Sequence, residues 1–125
     1  MERKTRQRSA VRDALLEAHR PLTPAEVLES AQRHVSGIGI ATVYRAIKAL
    51  LAEGTVVSVE IPGTPPRYEM AHLGHHHHFH CRLCSRVFEI RGCPGNLGRL
   101  SPPGFKLEGH DVVLYGRCVT CAEAA

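Results

Sequence analysis

The stretch from Ile40 to Gly54, IATVYRAIKALLAEG, decides how the first half of the chain folds. Its apolar residues recur at helical spacing and stop at a glycine, which predicts a helix over residues 40–53. The apolar stripe of this helix comprises Ile40, Val43, Ile47, Leu50 and Leu51. The opposite face is small and basic, and comprises Ala41, Thr42, Arg45, Lys48, Ala49 and Ala52. Small residues let a helix sit deep in a major groove while basic side chains reach bases or phosphates, so the stretch predicts a DNA recognition helix.

The segment before this stretch predicts two further helices. Apolar residues at helical spacing from Val11 to Ala18 predict a first helix over about residues 3–18. The sequence Thr23-Pro24-Ala25-Glu26 has the pattern of a capping box with proline in the first turn, so a second helix is expected to begin there. The face that this helix buries is expected to hold Val27, Leu28, Ala31 and Val35.

A β-hairpin is predicted after the recognition helix. Residues 55–61 are rich in β-branched side chains, Pro62 to Pro66 form a turn, and residues 67–70 begin the return strand. Three helices followed by a hairpin predict a winged helix-turn-helix domain over residues 1–71, with the hairpin as the wing. A helical bundle with an accessory hairpin fits the same pattern and is the alternative.

The charge of the chain points in the same direction. The 125 residues carry a formal net charge of +4, and basic side chains crowd the N-terminus at Arg3, Lys4, Arg6, Arg8 and Arg12. Such a cluster suits a phosphate backbone, although a solvated helix face looks the same. No apolar run approaches the roughly 20 residues of a membrane span, and the charged N-terminus does not resemble a signal peptide. We therefore expect a cytoplasmic protein, without a membrane partner, whose thiols stay reduced.

The composition changes at His72, and a second domain is predicted over residues 72–125. Two C-x2-C pairs, Cys81 with Cys84 and Cys118 with Cys121, mark this domain. Two thiolates at this spacing can bind one ion, and two such pairs complete the tetrahedral sulfur shell that Zn²⁺ accepts. We therefore predict a structural zinc bound by all four, which supplies folding energy to a domain with a small core. Two disulfides or free buried thiols are the alternatives.

A run of four histidines precedes the first cysteine pair. Alternate side chains of a strand share a face, so His76 and His78 are expected on one side and His75 and His77 on the other. Other imidazole or carboxylate ligands of the neighbouring segments are Glu69, Glu89 and His110. A mixed set of this kind suits Fe(II), Mn(II), Zn(II), Co(II) or Ni(II), so the run predicts an exchangeable metal site distinct from the all-cysteine site. A solvated polyhistidine stretch that binds metal adventitiously is the alternative.

The other elements of the second domain are short. The predicted strands cover residues 79–81, 87–90 and 105–115. Residues 92–104 are rich in glycine and proline, and they predict a loop with one helical turn around residues 96–100. Cys93 lies beside Pro94 in this loop, and we interpret it as a bystander rather than as a ligand or a redox centre.

Taken together, these motifs resemble the ferric uptake regulator family over nearly the whole chain, from about residue 5 to residue 121. The segment Gly39–Arg45 resembles the recognition-helix signature of that family. The stretch His75–Cys84 resembles its histidine-rich metal region, and Leu114–Cys118 resembles its closing strand and second cysteine pair. The resemblance implies an α+β protein in which an N-terminal winged helix-turn-helix precedes a small α/β dimerisation domain with a structural four-cysteine zinc site.

The resemblance also implies a homodimer that represses transcription from an inverted-repeat operator in double-stranded DNA when a metal corepressor is bound. The side chains that face DNA are then Tyr44 and Arg45, beside Thr42 and Lys48 of the small, basic face. The implied ligands of the structural zinc are Cys81, Cys84, Cys118 and Cys121. The implied ligands of the regulatory metal are Glu69, His76, His78 and Glu89, with His19 as a displaced fifth ligand. A further metal site is implied at His75, His77 and His110, although residues 92–104 replace most of the helix that usually provides its carboxylate.

The regulatory metal is predicted to be Fe²⁺, with Zn²⁺ or Mn²⁺ as alternatives, because zinc sensors of the family often place a cysteine near the position of Glu69. Ligands from both predicted domains would let the metal fix the spacing of two recognition helices. A peroxide-sensing regulator of the same family and a histidine-rich metal buffer or chaperone are the alternative functions. An enzyme is not expected, because a zinc hydrolase needs an open zinc position and the sequence has no H-x-E or H-E-x-x-H pattern.

Overall fold

The structure, a computed structural model, describes residues 2–123 and divides into two compact units. The first unit ends at Gly74 and the second begins at His75, three residues beyond the boundary that the sequence predicts. Helices dominate the first unit and short strands the second, so the predicted α+β class is confirmed.

Three helices and a two-stranded sheet build the first unit. The helices are α1 (Glu2–Ala18), α2 (Pro24–Gln32) and α3 (Ile40–Glu53). The strands that follow are β1 (Val56–Val59) and β2 (Arg67–Met70), and they pair antiparallel. Leu22 and Tyr68 exchange two backbone hydrogen bonds of 2.9 Å, so the segment before α2 is tied to β2. Helices and hairpin together form the winged helix-turn-helix that the sequence predicts.

The start of α2 has the predicted capping box. The backbone N–H of Glu26 donates to Thr23 Oγ1 at 3.2 Å, and Glu26 Oε1 accepts from the backbone N–H of Thr23 at 3.0 Å. The guanidinium of Arg20 donates to the other carboxylate oxygen of Glu26 at 2.9 Å. Burial raises the pKa of Glu26, but the bonds from Thr23 and Arg20 outweigh burial and hold the pKa below its ordinary value.

The core of the first unit draws aliphatic side chains from every helix. The buried residues of α3 are Val43, Ala46, Ile47 and Leu50. The predicted stripe is wrong along one of its edges, because Ile40 is 42% exposed and Leu51 is 37% exposed. Both lie roughly 50–75° to the same side of the line through Val43, Ile47 and Leu50, which is where α1 and α2 pack. Of the predicted buried face of α2, Leu28 and Val35 are partly buried against this core.

A three-stranded sheet with β3 at its centre forms the second unit. The strands are β3 (His77–Cys81), β4 (Val87–Ile90) and β5 (Val113–Gly116). β4 pairs antiparallel with β3, and β5 pairs parallel with it on the other side. The end of β4 and the start of β5 therefore both lie beside the start of β3. Residues 91–112 connect them around that end of the sheet, with one 3₁₀ turn at Gly98–Leu100 in the predicted place.

Two features of the second unit differ from the sequence-based expectation. The strand predicted over residues 105–115 is confined to β5, because backbone pairing with β3 starts only at Val113. A short helix, α4 (Val119–Glu123), follows β5 and was not predicted, since a single turn leaves no hydrophobic periodicity to detect. A hydrogen bond of 2.8 Å from the backbone N–H of Ala122 to the carbonyl of Cys118 belongs to this turn.

Candidate metal centres and nucleic-acid interface

The four cysteines of the two C-x2-C pairs come together at one end of the second unit. Cys81 is the last residue of β3, and Cys84 follows in the next turn. Cys118 directly precedes α4, and Cys121 lies within it. Their sulfur atoms all lie within 4.8 Å of one another, and the Sγ atoms of Cys84 and Cys118 are 3.9 Å apart. A tetrahedral zinc with Zn–S bonds of about 2.3 Å requires sulfur separations of roughly 3.8 Å. The four sulfur atoms form no disulfide in the structure, and their spacing fits a tetrahedral metal ion.

Backbone N–H groups stabilise the thiolate form of one of these sulfurs, that of Cys81. The N–H groups of Cys84 and Cys118 donate to Cys81 Sγ at 3.5 and 3.4 Å, and these bonds lower the pKa of Cys81 to about 5. Burial and the neighbouring sulfurs instead raise the pKa of Cys121 to about 12. Four sulfurs held this close repel one another as thiolates, and a bound divalent cation relieves that repulsion.

A second group of ligand atoms gathers around the start of β3. The predicted histidines of the further site, His75, His77 and His110, lie there with ring centroids 4.5 to 5.0 Å apart. Burial, followed by the neighbouring His75 and His110, lowers the pKa of His77. Cys93, which the sequence led us to interpret as a bystander, lies in the same group, because the connection from β4 to β5 returns past the start of β3. Its place in the chain between the histidine run and His110 was the available sequence signal.

The predicted regulatory ligands of the second unit share one face of the sheet. The rings of His76 and His78 are 4.9 Å apart, and Glu89 on β4 is the direct cross-strand partner of His78. Directly opposite residues of paired strands point to the same face. In the first unit, Glu69 is buried on β2, and His19 is exposed directly after α1 with a left-handed backbone (φ 55°).

The proposed recognition helix presents its basic side chains to the surface. Tyr44 is 55% exposed, and Arg45 and Lys48 are exposed as well. Thr42 is half-buried, and its Oγ1 accepts a hydrogen bond of 3.1 Å from Arg45 Nη2.

α1 contributes further basic side chains to the same surface. A groove of about 240 Å³ runs between α1 and α3, and it is lined by Lys4, Gln7, Arg8, Thr42, Arg45 and Ala46. Lys4 and Arg8, two of the cations that suggested phosphate contact in the sequence, therefore lie beside the small, basic face of α3. Across residues 2–123, no helix has the length and apolar character that crossing a bilayer requires.

Comparison with known proteins shows which family the chain belongs to. Residues 2–115 match the sequence model of the ferric uptake regulator family. The chain belongs to this family. A ferric uptake regulation protein of Campylobacter upsaliensis is 30% identical over 122 residues, which cover 94% of this chain and 78% of that protein. Family assignment and fold class are thus both confirmed.

Solved structures of ferric uptake regulators have the same fold. The Helicobacter pylori regulator, described as having three functional metal-binding sites, superposes with a TM-score of 0.71 at 28% identity and covers 93% of this chain and 79% of its own. A zinc-bound manganese uptake regulator superposes with a TM-score of 0.80 at 26% identity and covers 90% of this chain and 88% of its own. Ferric uptake regulators are metal-binding transcriptional regulators that bind DNA as dimers.

Proposed function

We propose that this chain is a metal-dependent transcriptional repressor that binds an inverted-repeat operator as a homodimer. The observation that carries the proposal is the outward row of Thr42, Arg45 and Lys48 on α3, which continues into the cations of α1. Phosphates attract Lys and Arg regardless of sequence, whereas Arg on a helix in the major groove reads guanine. A basic helix with a small-residue face supplies both kinds of contact.

Zinc and a second divalent ion have different roles in this proposal. The all-sulfur set formed by the two C-x2-C pairs holds zinc permanently, because four thiolates leave no open coordination position. The regulatory ion binds through imidazole nitrogens and carboxylate oxygens, and its proposed ligands are Glu69, His76, His78, Glu89 and His19. Such a set favours Fe²⁺, with Mn²⁺ and Zn²⁺ as alternatives. The shared face of His76, His78 and Glu89 supports this assignment.

The free edge of β5 supports the dimer. β5 is an outer strand of the sheet, and its side chains Leu114 and Tyr115 are 50% and 42% exposed. An unpaired edge that carries apolar side chains is a surface on which a second copy can dock. A dimer formed through the second unit presents two recognition helices to two half-sites of one operator.

The regulatory ion acts in this proposal by favouring one arrangement of the two recognition helices. Its ligands come from both units, with Glu69 and His19 in the first and the others in the second. The proposed carboxylate and imidazole ligands can then all bind the ion at once only when the two recognition helices have the spacing of successive major grooves. A coupling free energy of about 1–3 kcal/mol corresponds to a roughly 5- to 150-fold gain in operator affinity.

The DNA-binding part is tested with the full zinc-loaded chain and an inverted-repeat duplex selected by that protein from a random-sequence pool. We expect Arg45→Ala to weaken binding, measured by fluorescence anisotropy, by about 1–3 kcal/mol. Arg99→Ala removes an arginine of the second unit that is also exposed, and it should leave affinity unchanged. Equal affinities for the two variants would refute this DNA interface.

The regulatory site is tested by an anaerobic titration of Fe²⁺ or Mn²⁺ in the same assay. The double variant His76→Ala, His78→Ala should lose the metal-dependent gain but keep its tightly bound zinc, whereas His34→Ala, an exposed histidine of the first unit, should keep both. Retention of the gain by the double variant would contradict the proposed ligands. A wild-type protein that binds the ions yet selects no duplex would instead be a metal buffer.

A further inference from the structure

Cys93 and three histidines form a compact cluster inside the second unit, apart from the four-cysteine set. One ligand atom from each of His75, His77, Cys93 and His110 lies within 4.8 Å of the others. Cys93 Sγ is 3.3 Å from His75 Nε2 and 3.3 Å from His110 Nε2. Three imidazoles therefore surround one thiol.

The strand pairing explains why residues this distant in sequence meet. His77 and Val112 lie side by side where β3 and β5 begin to pair, and the backbone N–H of His78 donates to the carbonyl of Val112 at 3.1 Å. His110 therefore arrives next to His75 and His77, which share one face through their alternate positions. Cys93 reaches the same place from the β4 side of β3, because the connection that leaves β4 begins beside the start of β3.

The distances match those of a tetrahedral ion with one sulfur ligand. Bonds of about 2.3 Å to sulfur and about 2.0 Å to nitrogen place those two ligand atoms roughly 3.5 Å apart. Both Cys93 sulfur–nitrogen distances are 3.3 Å. The backbone N–H of Gly95 also donates to Cys93 Sγ at 3.4 Å, which helps to hold the sulfur in this position.

One nitrogen of the cluster lacks a partner among the described residues. His77 is 1% exposed, and its Nε2 is buried without a hydrogen bond. Its Nδ1 accepts a bond of 3.1 Å from the backbone N–H of Val112. A neutral imidazole has a single lone pair, so coordination through Nε2 replaces the bond from Val112. An ion bound through Nε2 gives this buried nitrogen the partner that the described residues do not provide, at the cost of the bond from Val112.

We propose that Cys93 completes, with His75, His77 and His110, a site of three nitrogen ligands and one sulfur ligand for a tetrahedral zinc-class ion. The family resemblance accounts for the three histidines and implies a carboxylate as their companion. In this chain a thiolate takes that position, and it shifts the preference of the site from the harder ions Mn²⁺ and Fe²⁺ towards Zn²⁺ and Co²⁺. The inference concerns metal binding alone and does not depend on the proposed DNA binding.

A catalytic cysteine is the competing interpretation of a thiol beside imidazoles. A Cys–His dyad uses one imidazole as a base, and a third group orients that base. In this cluster two imidazole nitrogens lie equally close to the sulfur, and a third ring packs against both. That symmetry is the arrangement of a ligand shell rather than of a nucleophile and its base.

Cobalt spectroscopy of the full chain tests the proposal. The four-cysteine set is first filled with one equivalent of Zn²⁺, and Co²⁺ is then titrated as the probe. We expect a further Co²⁺ with intense tetrahedral d–d bands and a thiolate-to-cobalt charge-transfer band. Cys93→Ser should abolish the charge-transfer band and weaken Co²⁺ binding by at least roughly 10- to 100-fold, the usual cost of even an outer-shell change.

Two control variants separate this site from the regulatory one. His76→Ala removes a histidine of the opposite face and should leave the charge-transfer band intact, whereas His110→Ala should remove it. Cys93→Asp should bind Co²⁺ without the band. A charge-transfer band that persists in Cys93→Ser, or a wild-type chain whose additional Co²⁺ shows no thiolate band, would overturn the proposal. Loss of DNA binding in any variant has no bearing on this outcome.

Discussion

The two units of this protein differ in what stabilises the fold of each. The described part of the first unit has a core of thirteen buried hydrophobic residues, contributed by its helices, β1 and the connections between them. Among the apolar residues described in the second unit, only Cys81 and Val87 are buried, and one of them is a proposed metal ligand. Several large apolar side chains of the second unit face outwards instead, including Leu100, Phe105 and Val119. The second unit therefore lacks the apolar burial that stabilises the first.

This contrast indicates that metal binding takes the place of a core in the second unit. Fully burying one aliphatic side chain contributes about 1.5–3 kcal/mol, so one or two such residues cannot offset the entropy of ordering a sheet. Binding of a structural zinc by thiolates contributes about 10–16 kcal/mol at neutral pH. We expect the second unit to fold only with its zinc and the first to fold without any ion.

The largest expected effect is the loss of zinc. Cys81→Ser, or treatment with a strong chelator, should unfold the second unit, because the ion joins the end of β3 to the segment after β5. Amide dispersion in NMR spectra should collapse for residues 75–123 and persist for the first unit. Cys93→Ser, which removes a thiol outside the four-cysteine set, should keep the sheet. If the amide signals of β3 stayed dispersed after zinc had been removed by the chelator, the sheet would not need zinc.

A large effect confined to the first unit is expected from a cavity in its core. Ile47 is 2% exposed, and Ile47→Ala should lower the free energy of unfolding of the first unit by about 2–5 kcal/mol. Ile40→Ala on the same helix is the matched control, because Ile40 is 42% exposed and should cost about 0.5 kcal/mol or less. Zinc content should not change in either variant. Similar costs in urea unfolding for the two would argue against the observed orientation of α3.

A smaller effect is expected where β5 packs against an aromatic ring. A Cβ added to Gly116 would lie 3.0 Å from Phe79 Cζ, so Gly116→Ala must displace the ring and should cost about 1–3 kcal/mol. Gly109→Ala is the control, since its added Cβ would meet nothing within 4 Å. The readout is the chelator concentration at which the second unit unfolds. An unchanged midpoint for Gly116→Ala would show that this contact contributes little.

The smallest effect is expected at the N-terminus of α2. Thr23→Ala removes the capping oxygen and should destabilise the first unit by about 1 kcal/mol. Because the pKa of Glu26 is held below its ordinary 4.5, its contribution is present above that pH and lost as the pH falls through the lower folded value. Glu26→Gln should therefore flatten the acid limb of first-unit stability measured by thermal unfolding. An unaltered acid limb would mean that other carboxylates dominate it.

The sequence predicted most of the first unit because its elements depend on local patterns. Helical periodicity located α1 and α3, and the Thr23–Glu26 pattern located the start of α2 within one residue. The pattern failed at Ile40 and Leu51, where hydrophobicity alone implied burial. Which apolar residues at the edges of a stripe are covered depends on the crossing of neighbouring helices, and periodicity carries no information about that crossing.

The metal ligands divide along similar lines. The cysteine pairs were recognisable because a C-x2-C spacing is itself a two-ligand unit. Cys93 was not, because its position among the histidines depends on the order β4-β3-β5 and on the path of the connection between β4 and β5. That order is a long-range property of the fold. Likewise, the pairing of Glu89 with His78 required the register of β3 and β4 rather than any local signal.

The connection over residues 91–112 has one more consequence, which concerns the integrity of the backbone. One C-x2-C pair precedes the connection and the other follows it, and β3 and β5 pair across it. A protease that cuts within this exposed, glycine-rich segment would leave two fragments, each with half of the zinc ligands. The nicked protein should migrate as one species while zinc is bound and separate into two when it is chelated. The ion would then hold the two fragments together in place of the cut peptide bond, as a ligand does in a split protein that it reassembles.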